Sequence, residues 1–320
     1  MKTITATTLL SALERLSREK LTLGKFGTAR NYFRAHSSFA SFLEHQPKRK
    51  DELFSPEAAY AYSSFLEKRN CTPNTVSFYL RILRAAWNRI LDDEHVIGKI
   101  LTDPFKDVYT GISKTVNRAL PKDTIKRIRE IDLGESTKAG LTNQSFCRDL
   151  FLFSLYCRGM AFVDMAFLRM SDISGGYITY RRKKTGQALN IFLEPTINRL
   201  IDRWHESDSM YVFPIIKWTA IEKKKGEDTP EGCYKKYENA LRTYNRTLKE
   251  IGTKIGFPEL SSYNSRHSWA CLAKDSGIPL GVISEGLGHN SERTTKIYLD
   301  SLDRTVIDSA SRAILNGILV

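Results

Sequence analysis

The sequence has few cysteines, and none has the spacing that metal sites and disulfide frameworks use. The 320 residues contain five, scattered along the chain at Cys71, Cys147, Cys157, Cys233 and Cys271, with no C-x-x-C pair. An odd, scattered set predicts neither a zinc site nor a disulfide framework and favours a reducing cytoplasm. The sequence also lacks a run of about 18 apolar residues, so we expect no membrane span. Its first ten residues do not resemble a signal peptide.

The charge of the sequence is strongly positive. Lysine and arginine total 49 against 36 acidic residues, which gives a net charge of +13 and a pI near 9.4. This sign and size favour a polyanionic partner such as nucleic acid. Apolar residues make up 41% of the chain, enough to form folded cores. The length leaves room for two domains of ordinary size.

The N-terminal third is predicted to be helical. Thr72 is a plausible N-cap, and Pro73 suits the first position of the helix that follows. Apolar residues then recur every three or four positions, which predicts one buried face. These are Val76, Leu80, Leu83, Trp87 and Ile90.

A second stripe on the same helix is polar, and its role has two interpretations. It carries Asn74, Ser77, Arg81, Arg84 and Asn88. A solvated face is the simpler interpretation, and a helix lying against a DNA backbone is the alternative. The same choice applies to an earlier helix that carries Lys25, Arg30 and Arg34. Our candidate DNA-binding residues are Lys25, Arg34, Arg81, Arg84 and Asn88.

The rest of the chain is predicted to be mainly helical, with one short stretch of period-two alternation. The expected helices cover about 122–132, 143–157, 161–169, 195–205, 231–254 and 303–316. Residues 177–180 and 189–192 are expected to pair as strands around Lys183-Lys184-Thr185-Gly186. The charged stretch 217–232 is expected to be a mobile surface loop, and 109–118 a linker.

Five residues of the second half suit attack on a phosphodiester. They are Arg158 after an apolar helix, Lys184 in the hairpin, Arg266 in the block 263–267, His289 in a Leu-Gly-His turn and Tyr298 nine residues later. Guanidinium groups can neutralise phosphate oxygens, an ammonium can protonate a leaving oxygen, and a phenol can attack phosphorus.

Each residue taken alone also has a simpler interpretation. Arg158 could pair with Asp164 or Asp172. Lys184 could be a solvated turn lysine, His289 a helix cap, and Tyr298 a core side chain.

The order and spacing of these blocks resemble the tyrosine recombinase, or phage integrase, family. The resemblance is carried by Cys157-Arg158-Gly159, Arg182-Lys183-Lys184-Thr185-Gly186, Tyr263-Asn264-Ser265-Arg266-His267, Leu287-Gly288-His289 and Thr294-Thr295-Lys296-Ile297-Tyr298. It implies a mainly α fold in two parts: a helical core-binding domain at 1–108, and a mainly helical catalytic domain at 119–320 with a small antiparallel sheet and a C-terminal helical tail.

The resemblance also implies roles for the matched residues. Arg158 and Arg266 clamp the scissile phosphate, and His289 donates a hydrogen bond to it. Tyr298 attacks, leaving a 3′-phosphotyrosyl bond, and a hairpin lysine protonates the departing 5′ oxygen. We prefer Lys184 to Lys183 because it directly precedes Thr185-Gly186. The resemblance implies neither a metal nor another cofactor.

Two positions depart from the family pattern. Tyr263 stands where the pattern has histidine, as in similar integrases of the Bacteroides type. A phenol is a poor base near neutral pH, so we expect Tyr263 to orient rather than to transfer protons. The acidic residue usual about three positions after the first arginine occurs only at Asp164, six positions on. His267 is expected to pack beneath the site and stays outside the catalytic set.

The implied function is site-specific recombination of double-stranded DNA, as integration, excision or inversion of a segment such as a mobile element. Residues 299–320 could pack on their own domain. The resemblance favours docking on a neighbouring protomer, within a tetramer on two DNA sites. A type IB topoisomerase and a non-catalytic DNA-binding protein are the competing hypotheses.

Overall fold

The computed structural model describes residues 4–93, 103–111, 113, 118–134, 138–289, 291–292 and 295. The chain divides into two compact units, an N-terminal unit (Met1–Lys114) and a C-terminal unit (Thr115–Val320). Both are mainly helical, and the described strands form one small antiparallel sheet. The predicted fold class is confirmed. No described helix is long and apolar enough to cross a membrane.

The N-terminal unit is a cluster of helices around an aromatic core. Its described helices are α1 (Ala6–Thr22), α2 (Phe26–His45), α3 (Pro56–Lys68) and α4 (Pro73–Asp93), with a 3-10 turn at Pro47–Arg49. Helix α4 begins as predicted, with the Thr75 amide donating to Thr72 Oγ1. All five residues of its predicted apolar face are buried, where they join Phe39, Phe54 and Tyr62.

The polar stripe of α4 is not uniformly solvated, which corrects the simpler interpretation. Ser77 is fully buried and donates to the Gly111 carbonyl. Asn74 accepts from the Ser113 amide at 2.8 Å and donates to the Ser113 carbonyl at 3.1 Å. These side chains fasten a later segment of the same unit to α4. The sequence gives no sign of this because the partners lie more than 30 residues away.

The C-terminal unit is built around one buried helix. Its described elements are α5 (Lys122–Glu130), α6 (Gln144–Tyr156), α7 (Phe162–Ala166), β1 (Ile173–Ser174), β2 (Tyr177–Arg181), β3 (Ala188–Phe192), α8 (Pro195–Trp204), α9 (Ala220–Lys224), α10 (Pro230–Lys254), α11 (Ser262–Asp275) and α12 (Leu280–Gly286), with a 3-10 turn at Met170–Asp172. Helix α6 packs against α8, α10 and α11. Apolar side chains cover most of its surface, so it is central rather than amphipathic.

The sheet has the order β1-β2-β3, with both pairs antiparallel. The predicted hairpin is confirmed, with Tyr177 opposite Phe192 and Arg181 opposite Ala188. Alternate residues of β2 and β3 are buried. The two-residue strand β1 is too short to show a period in the sequence.

Two predicted elements were wrong in extent. The helix expected at 161–169 is only α7, because the chain turns into the 3-10 segment before β1. The stretch 217–232 is not a continuous loop, since it contains α9 and the start of α10. Thr219 and Glu222 begin α9 by reciprocal capping, with the Thr219 amide donating to Glu222 Oε2 and the Glu222 amide to Thr219 Oγ1.

Candidate active site

The site begins at a strained turn that follows α6. Arg158 has a φ of +57° and Gly159 a φ of +69°. Glycine adopts this left-handed region freely, whereas an arginine pays roughly 1–2 kcal/mol for it. The Ser154 carbonyl accepts from the amides of Gly159 and Met160, and Ser154 Oγ lies 2.7 Å from both the Met160 carbonyl and Ser265 Oγ. The turn is therefore held by contacts that do not involve the Arg158 side chain.

Gly159 allows the turn to approach α11. A Cβ atom at Gly159 would lie 2.6 Å from Arg266 Cα, closer than nonbonded carbon atoms come. This contact brings Arg158 and Arg266 together although 107 residues separate them.

Arg266 lies almost completely inside the protein, at 2% exposure. Its Nη1 donates to the Gly159 carbonyl at 2.8 Å, and its Nη2 donates to the Leu287 carbonyl. Nη2 also lies 3.0 Å from His289 Nε2. The guanidinium thus joins the Arg158 turn to the Leu-Gly-His turn and is held rigidly where they meet.

His289 is buried and held as the neutral ring. A guanidinium can only donate, so Nε2 accepts from Arg266, and the ring proton is on Nδ1, 2.8 Å from Thr295 Oγ1. Burial and the charges of Arg266, Arg182 and Lys184 lower the pKa of His289 to about 3. Both ring nitrogens are occupied, so a hydrogen bond to phosphate requires one of these contacts to open.

The hairpin between β2 and β3 reaches the same turn. Arg182 Nη1 donates to the Gly288 carbonyl at 2.6 Å, and Thr185 Oγ1 donates to the same oxygen at 3.2 Å. Gly288 has a φ of +64°, and a Cβ there would lie 3.2 Å from Arg182 Cδ. The hairpin and the turn are therefore in direct contact.

The two hairpin lysines point to different surroundings. Lys183 Nζ lies over the Phe167 ring, 5.0 Å from its centre, while the Lys183 amide donates to Asp164 Oδ1. Lys184 is exposed and directly precedes Thr185, whose hydroxyl donates to the Gly288 carbonyl. The backbone at Lys184 is therefore held close to the Leu-Gly-His turn, whereas the Lys183 ammonium lies over an aromatic ring.

Tyr263 and His267 lie one turn apart on α11. Tyr263 is 39% exposed, and its ring meets the buried His267 ring edge-on at 5.0 Å. Burial, with the charges of Arg118 and Arg266, lowers the pKa of His267 to about 4. Neutral His267 supports the base of Tyr263, whose outer edge reaches solvent.

Arg158 has neither of the carboxylate partners that a structural role would give it. Asp164 Oδ1 accepts from the Lys183 amide, and Asp172 Oδ2 accepts from the Arg169 amide. The Arg158 side chain is partly buried and passes Gly286. Among the residues that the structure describes, it has neither a hydrogen bond nor an ion pair.

Tyr298 and the predicted helix at 303–316 lie outside the described residues. Of the block 294–298, Thr295 is described, and it is fully buried against His289. The described part therefore links the Leu-Gly-His turn to the segment that leads to Tyr298.

The candidate DNA-binding residues belong to the N-terminal unit. Lys25, Arg34, Arg81 and Asn88 are exposed. Arg84 is partly exposed, and its guanidinium is paired with the Asp103 carboxylate at 2.7 Å. Arg81 Nε donates to the Ser77 carbonyl, which leaves the end of its guanidinium on the surface.

Sequence reasoning missed Arg182 as a member of the site. It is 5% exposed, and its Nε has no hydrogen-bond partner among the described residues. The sequence did contain a signal for this. Arg182 continues the alternation of Ile178 and Tyr180, which face inward from β2. A charged residue on the buried face of a strand deserves a functional explanation.

Family models match both units of the chain. Residues 119–304 match the phage integrase family, and residues 8–102 match the phage integrase SAM-like domain. The tyrosine recombinase XerA of Pyrococcus furiosus is 26% identical over 285 residues, covering 86% of this chain and 92% of that protein. The tyrosine recombinase XerC of Roseiflexus sp. is 20% identical over 266 residues, covering 81% of this chain and 79% of that one.

Solved structures share the fold at low sequence identity. The Tn1549 transposon integrase in complex with transposon right end DNA gives a TM-score of 0.62 at 13% identity, over 99% of this chain and 100% of that one. The lambda integrase tetramer bound to a Holliday junction gives 0.62 at 15% identity, over 93% and 78% of the two chains.

Proposed function

The chain belongs to the phage integrase family and is a tyrosine site-specific DNA recombinase, and we propose that the site around Arg266 carries its chemistry. The observation that supports this most strongly is the convergence of two distant segments on one buried guanidinium. Arg266 binds the Gly159 carbonyl beside Arg158, the Leu287 carbonyl and the His289 ring.

The two arginines would bind the scissile phosphate in different ways. Arg266 is held by two backbone carbonyls, so its charge is in place before the phosphate binds. Arg158 has no partner among the described residues, so its planar fork is available for two phosphate oxygens. The strained backbone at Arg158 supports this role, since strain of this kind collects at functional sites.

Lys184 would be the general acid, and Tyr298 the nucleophile. The Tyr298 oxygen bonds to phosphorus while the bond from phosphorus to the 5′ oxygen breaks. The proton on Lys184 Nζ passes to that oxygen, giving a 5′ hydroxyl, and the phenolic proton leaves to water. The result is a 3′-phosphotyrosyl bond. Lys184 is favoured over Lys183 because it adjoins Thr185, which is bound to the Gly288 carbonyl, whereas the Lys183 ammonium lies over Phe167.

Rejoining would reverse these steps with a different strand. The 5′ hydroxyl of a partner strand attacks the phosphotyrosyl phosphorus, Lys184 takes its proton, and the Tyr298 oxygen leaves and is protonated. One phosphodiester replaces another, so the two half-reactions conserve bond energy. The same cations stabilise the extra negative charge of the transition state in both directions.

His289 and Tyr263 would complete the phosphate site. A phosphate brings negative charge that opposes the cations lowering the His289 pKa. We propose that the phosphate takes over a contact of Arg266, which frees the His289 ring to face it. Tyr263 would donate its hydroxyl hydrogen without acting as a base, because a phenol holds its proton near neutral pH.

The N-terminal unit would bind the DNA backbone. The exposed cations Lys25, Arg34 and Arg81 can neutralise phosphates without breaking a contact, and Asn88 can donate a hydrogen bond. Arg84 must first give up Asp103. Replacing Arg81 by alanine should reduce the salt dependence of DNA binding by about one phosphate contact. An unchanged salt slope would remove Arg81 from this surface.

We also propose that the active assembly is a tetramer on two DNA sites, joined through the C-terminal tail. Support comes from the lambda integrase, whose fold this chain shares and which has been seen as a tetramer on a Holliday junction. Size measurement of the complex with and without residues 303–320 tests this proposal. A tetramer that forms equally well without them would exclude the tail as the joining element.

Replacement of Tyr298 by phenylalanine tests the chemistry. Wild-type protein incubated with DNA that flanks its gene should form a covalent protein–DNA adduct that survives denaturation. Tyr298→Phe should form none, because the attacking oxygen is absent. Tyr177→Phe is a matched control, since Tyr177 is a partly exposed tyrosine of the same unit. Adduct formation by Tyr298→Phe would exclude Tyr298 as the nucleophile.

A further inference from the structure

The β2–β3 hairpin touches the Leu-Gly-His turn at one backbone oxygen. The Gly288 carbonyl accepts from Arg182 Nη1 at 2.6 Å and from Thr185 Oγ1 at 3.2 Å. These donors flank Lys183 and Lys184 in the hairpin loop. Fixing both ends of a four-residue stretch to one atom restricts where the exposed Lys184 can reach.

The Arg182 contact is built into the core rather than added to the surface. Its guanidinium is buried, and a short bond from a charged donor is stronger than one between neutral groups. Gly288 has no Cβ, which lets Arg182 Cδ and Leu189 pack against the turn. Leaving the Gly288 carbonyl without its charged donor would therefore weaken the attachment of the hairpin.

Arg182 lies where the hairpin is attached to the Leu-Gly-His turn. It is 5% exposed, and its Nη1 donates to the Gly288 carbonyl. Asp164, which is also buried, lies close enough for each charge to act on the other. Its Oδ1 accepts from the Lys183 amide, so the hairpin loop is fixed at its base from the α7 side as well.

We propose that Arg182 is a positioning residue that holds the Lys184 hairpin against the Gly288–His289 turn, so that the lysine ammonium reaches the departing 5′ oxygen. This inference rests on the proposed role of Lys184 as the general acid. Arg182 does not touch the reacting atoms, and its contribution acts through Lys184. Thr185 is expected to contribute in the same direction and more weakly, because its bond is longer and uncharged.

The leaving group tests this proposal directly. Cleavage would be measured on two duplexes of a site that the wild-type chain cleaves, one natural and one with sulfur in place of the bridging 5′ oxygen. A thiol has a pKa near 8.5, so a thiolate leaves without first taking a proton. Loss of general-acid function should therefore slow cleavage of the oxygen substrate strongly and leave cleavage of the sulfur substrate nearly unchanged.

Arg182→Met should cleave the oxygen substrate about 100-fold more slowly, the scale expected for a misplaced catalytic group. It should cleave the sulfur substrate at nearly the wild-type rate. Arg181→Met is the matched control, because Arg181 is an exposed neighbour that donates to Gly186 within the same hairpin. Its rates on both substrates should be close to those of the wild type.

Equal slowing of Arg182→Met on both substrates would overturn the proposal, because such a defect does not pass through proton donation. Unchanged rates on both substrates would overturn it as well. A different result would show that the proposed role of Lys184 itself is wrong. In that case Lys184→Ala would cleave the sulfur substrate as slowly as the oxygen substrate, relative to the wild type.

Thr185 keeps the test decisive if Arg182→Met does not fold. Thr185→Val removes the second tie without changing the shape of the side chain, and Thr185→Ser restores the hydroxyl. Slowing of Thr185→Val on oxygen alone, with recovery in Thr185→Ser, would support the proposal. Equal slowing on both substrates, or none, would overturn it.

Discussion

The two units of the chain differ in what they bury. Among the described residues, the N-terminal unit buries two polar side chains, Ser63 and Ser77. The C-terminal unit buries Asp149, Asp164, Arg182, Arg266, His267 and His289 besides several neutral polar groups. Burying charge is unfavourable unless partners replace water. The core of the N-terminal unit is thus an ordinary apolar one. The C-terminal unit instead removes charged and polar side chains from water, several of which form the candidate site.

The two left-handed residues that are not glycine show the same contrast. Asn70 follows α3 in the N-terminal unit, with a φ of 58°. Asparagine is a common choice after a helix C-terminus because its short side chain tolerates this conformation. Arg158 follows α6 with nearly the same φ, and arginine has no such advantage. The backbone strain at Arg158 is therefore explained by the role of its guanidinium group and not by a preference of arginine for the turn.

The largest difference between the units should come from removing one arginine in each. Arg266→Met should lower the cleavage rate about 100-fold or more, because a fixed cation at the transition state is lost. It should also destabilise the C-terminal unit by about 2–3 kcal/mol, since the carbonyls of Gly159 and Leu287 lose their charged donor.

Arg84→Met is the matched change in the N-terminal unit. It breaks a partly exposed ion pair with Asp103, which contributes less than about 1 kcal/mol. Urea unfolding and adduct formation measure both variants. Equal losses of stability would contradict the difference between the two cores.

A second difference, mainly in stability and less in cleavage rate, is expected at two glycines with the same backbone angle. Gly24→Ala places a methyl group in open space at φ +67°, so it should cost only the backbone strain, about 1 kcal/mol. Gly159→Ala has the same strain at φ +69°, and in addition its methyl group would meet Arg266 Cα. We expect a loss of about 3 kcal/mol or more and a fall in cleavage.

Thermal unfolding of both glycine variants provides the measurement. If Gly159→Ala unfolds at the same temperature as Gly24→Ala, the close approach of the turn to α11 is not a constraint.

The smallest predicted change in stability should appear when the pH is lowered. The pKa of His267 falls from 6.5 to about 4 on folding, so the folded chain binds fewer protons than the unfolded one. Its stabilising contribution is complete above pH 6.5 and declines as the pH is lowered toward 4. Between pH 6.5 and 5 the free energy of unfolding should fall by about 1.5 kcal/mol for this residue.

Hydrogen exchange at pH 6.5 and 5, read separately over the two units, locates the effect. The added exchange should lie around α11 and around the Leu-Gly-His turn, because the lowered pKa of His289 acts in the same direction. His267→Leu should remove the part around α11. The same pH response in His267→Leu as in the wild type would contradict this assignment.

Local features of the fold were predictable because their causes are local. The apolar face of α4 follows from helical spacing, and the β2–β3 hairpin from alternation around Thr185-Gly186. The capping pair Thr219 and Glu222 was also local, but it lay in a highly charged stretch whose composition suggested a loop.

The parts that escaped prediction depend on partners far along the chain. Arg182 is buried because Gly288, 106 residues away, supplies an acceptor. Arg158 is left-handed because Ser154 and Ser265 hold the turn, and Ser77 is buried because Gly111 reaches it. The motif residues could be recognised from their order and spacing, whereas the carbonyls that orient them carry no mark in the sequence.

The turn after α6 has a practical consequence. Its shape is set by Ser154 and Gly159, while the Arg158 side chain extends away without a partner among the described residues. Asparagine at position 158 should both relieve the backbone strain and remove the guanidinium group that would bind the phosphate. Such a chain would be a folded decoy, able to occupy recombination sites and block the native protein without cutting DNA.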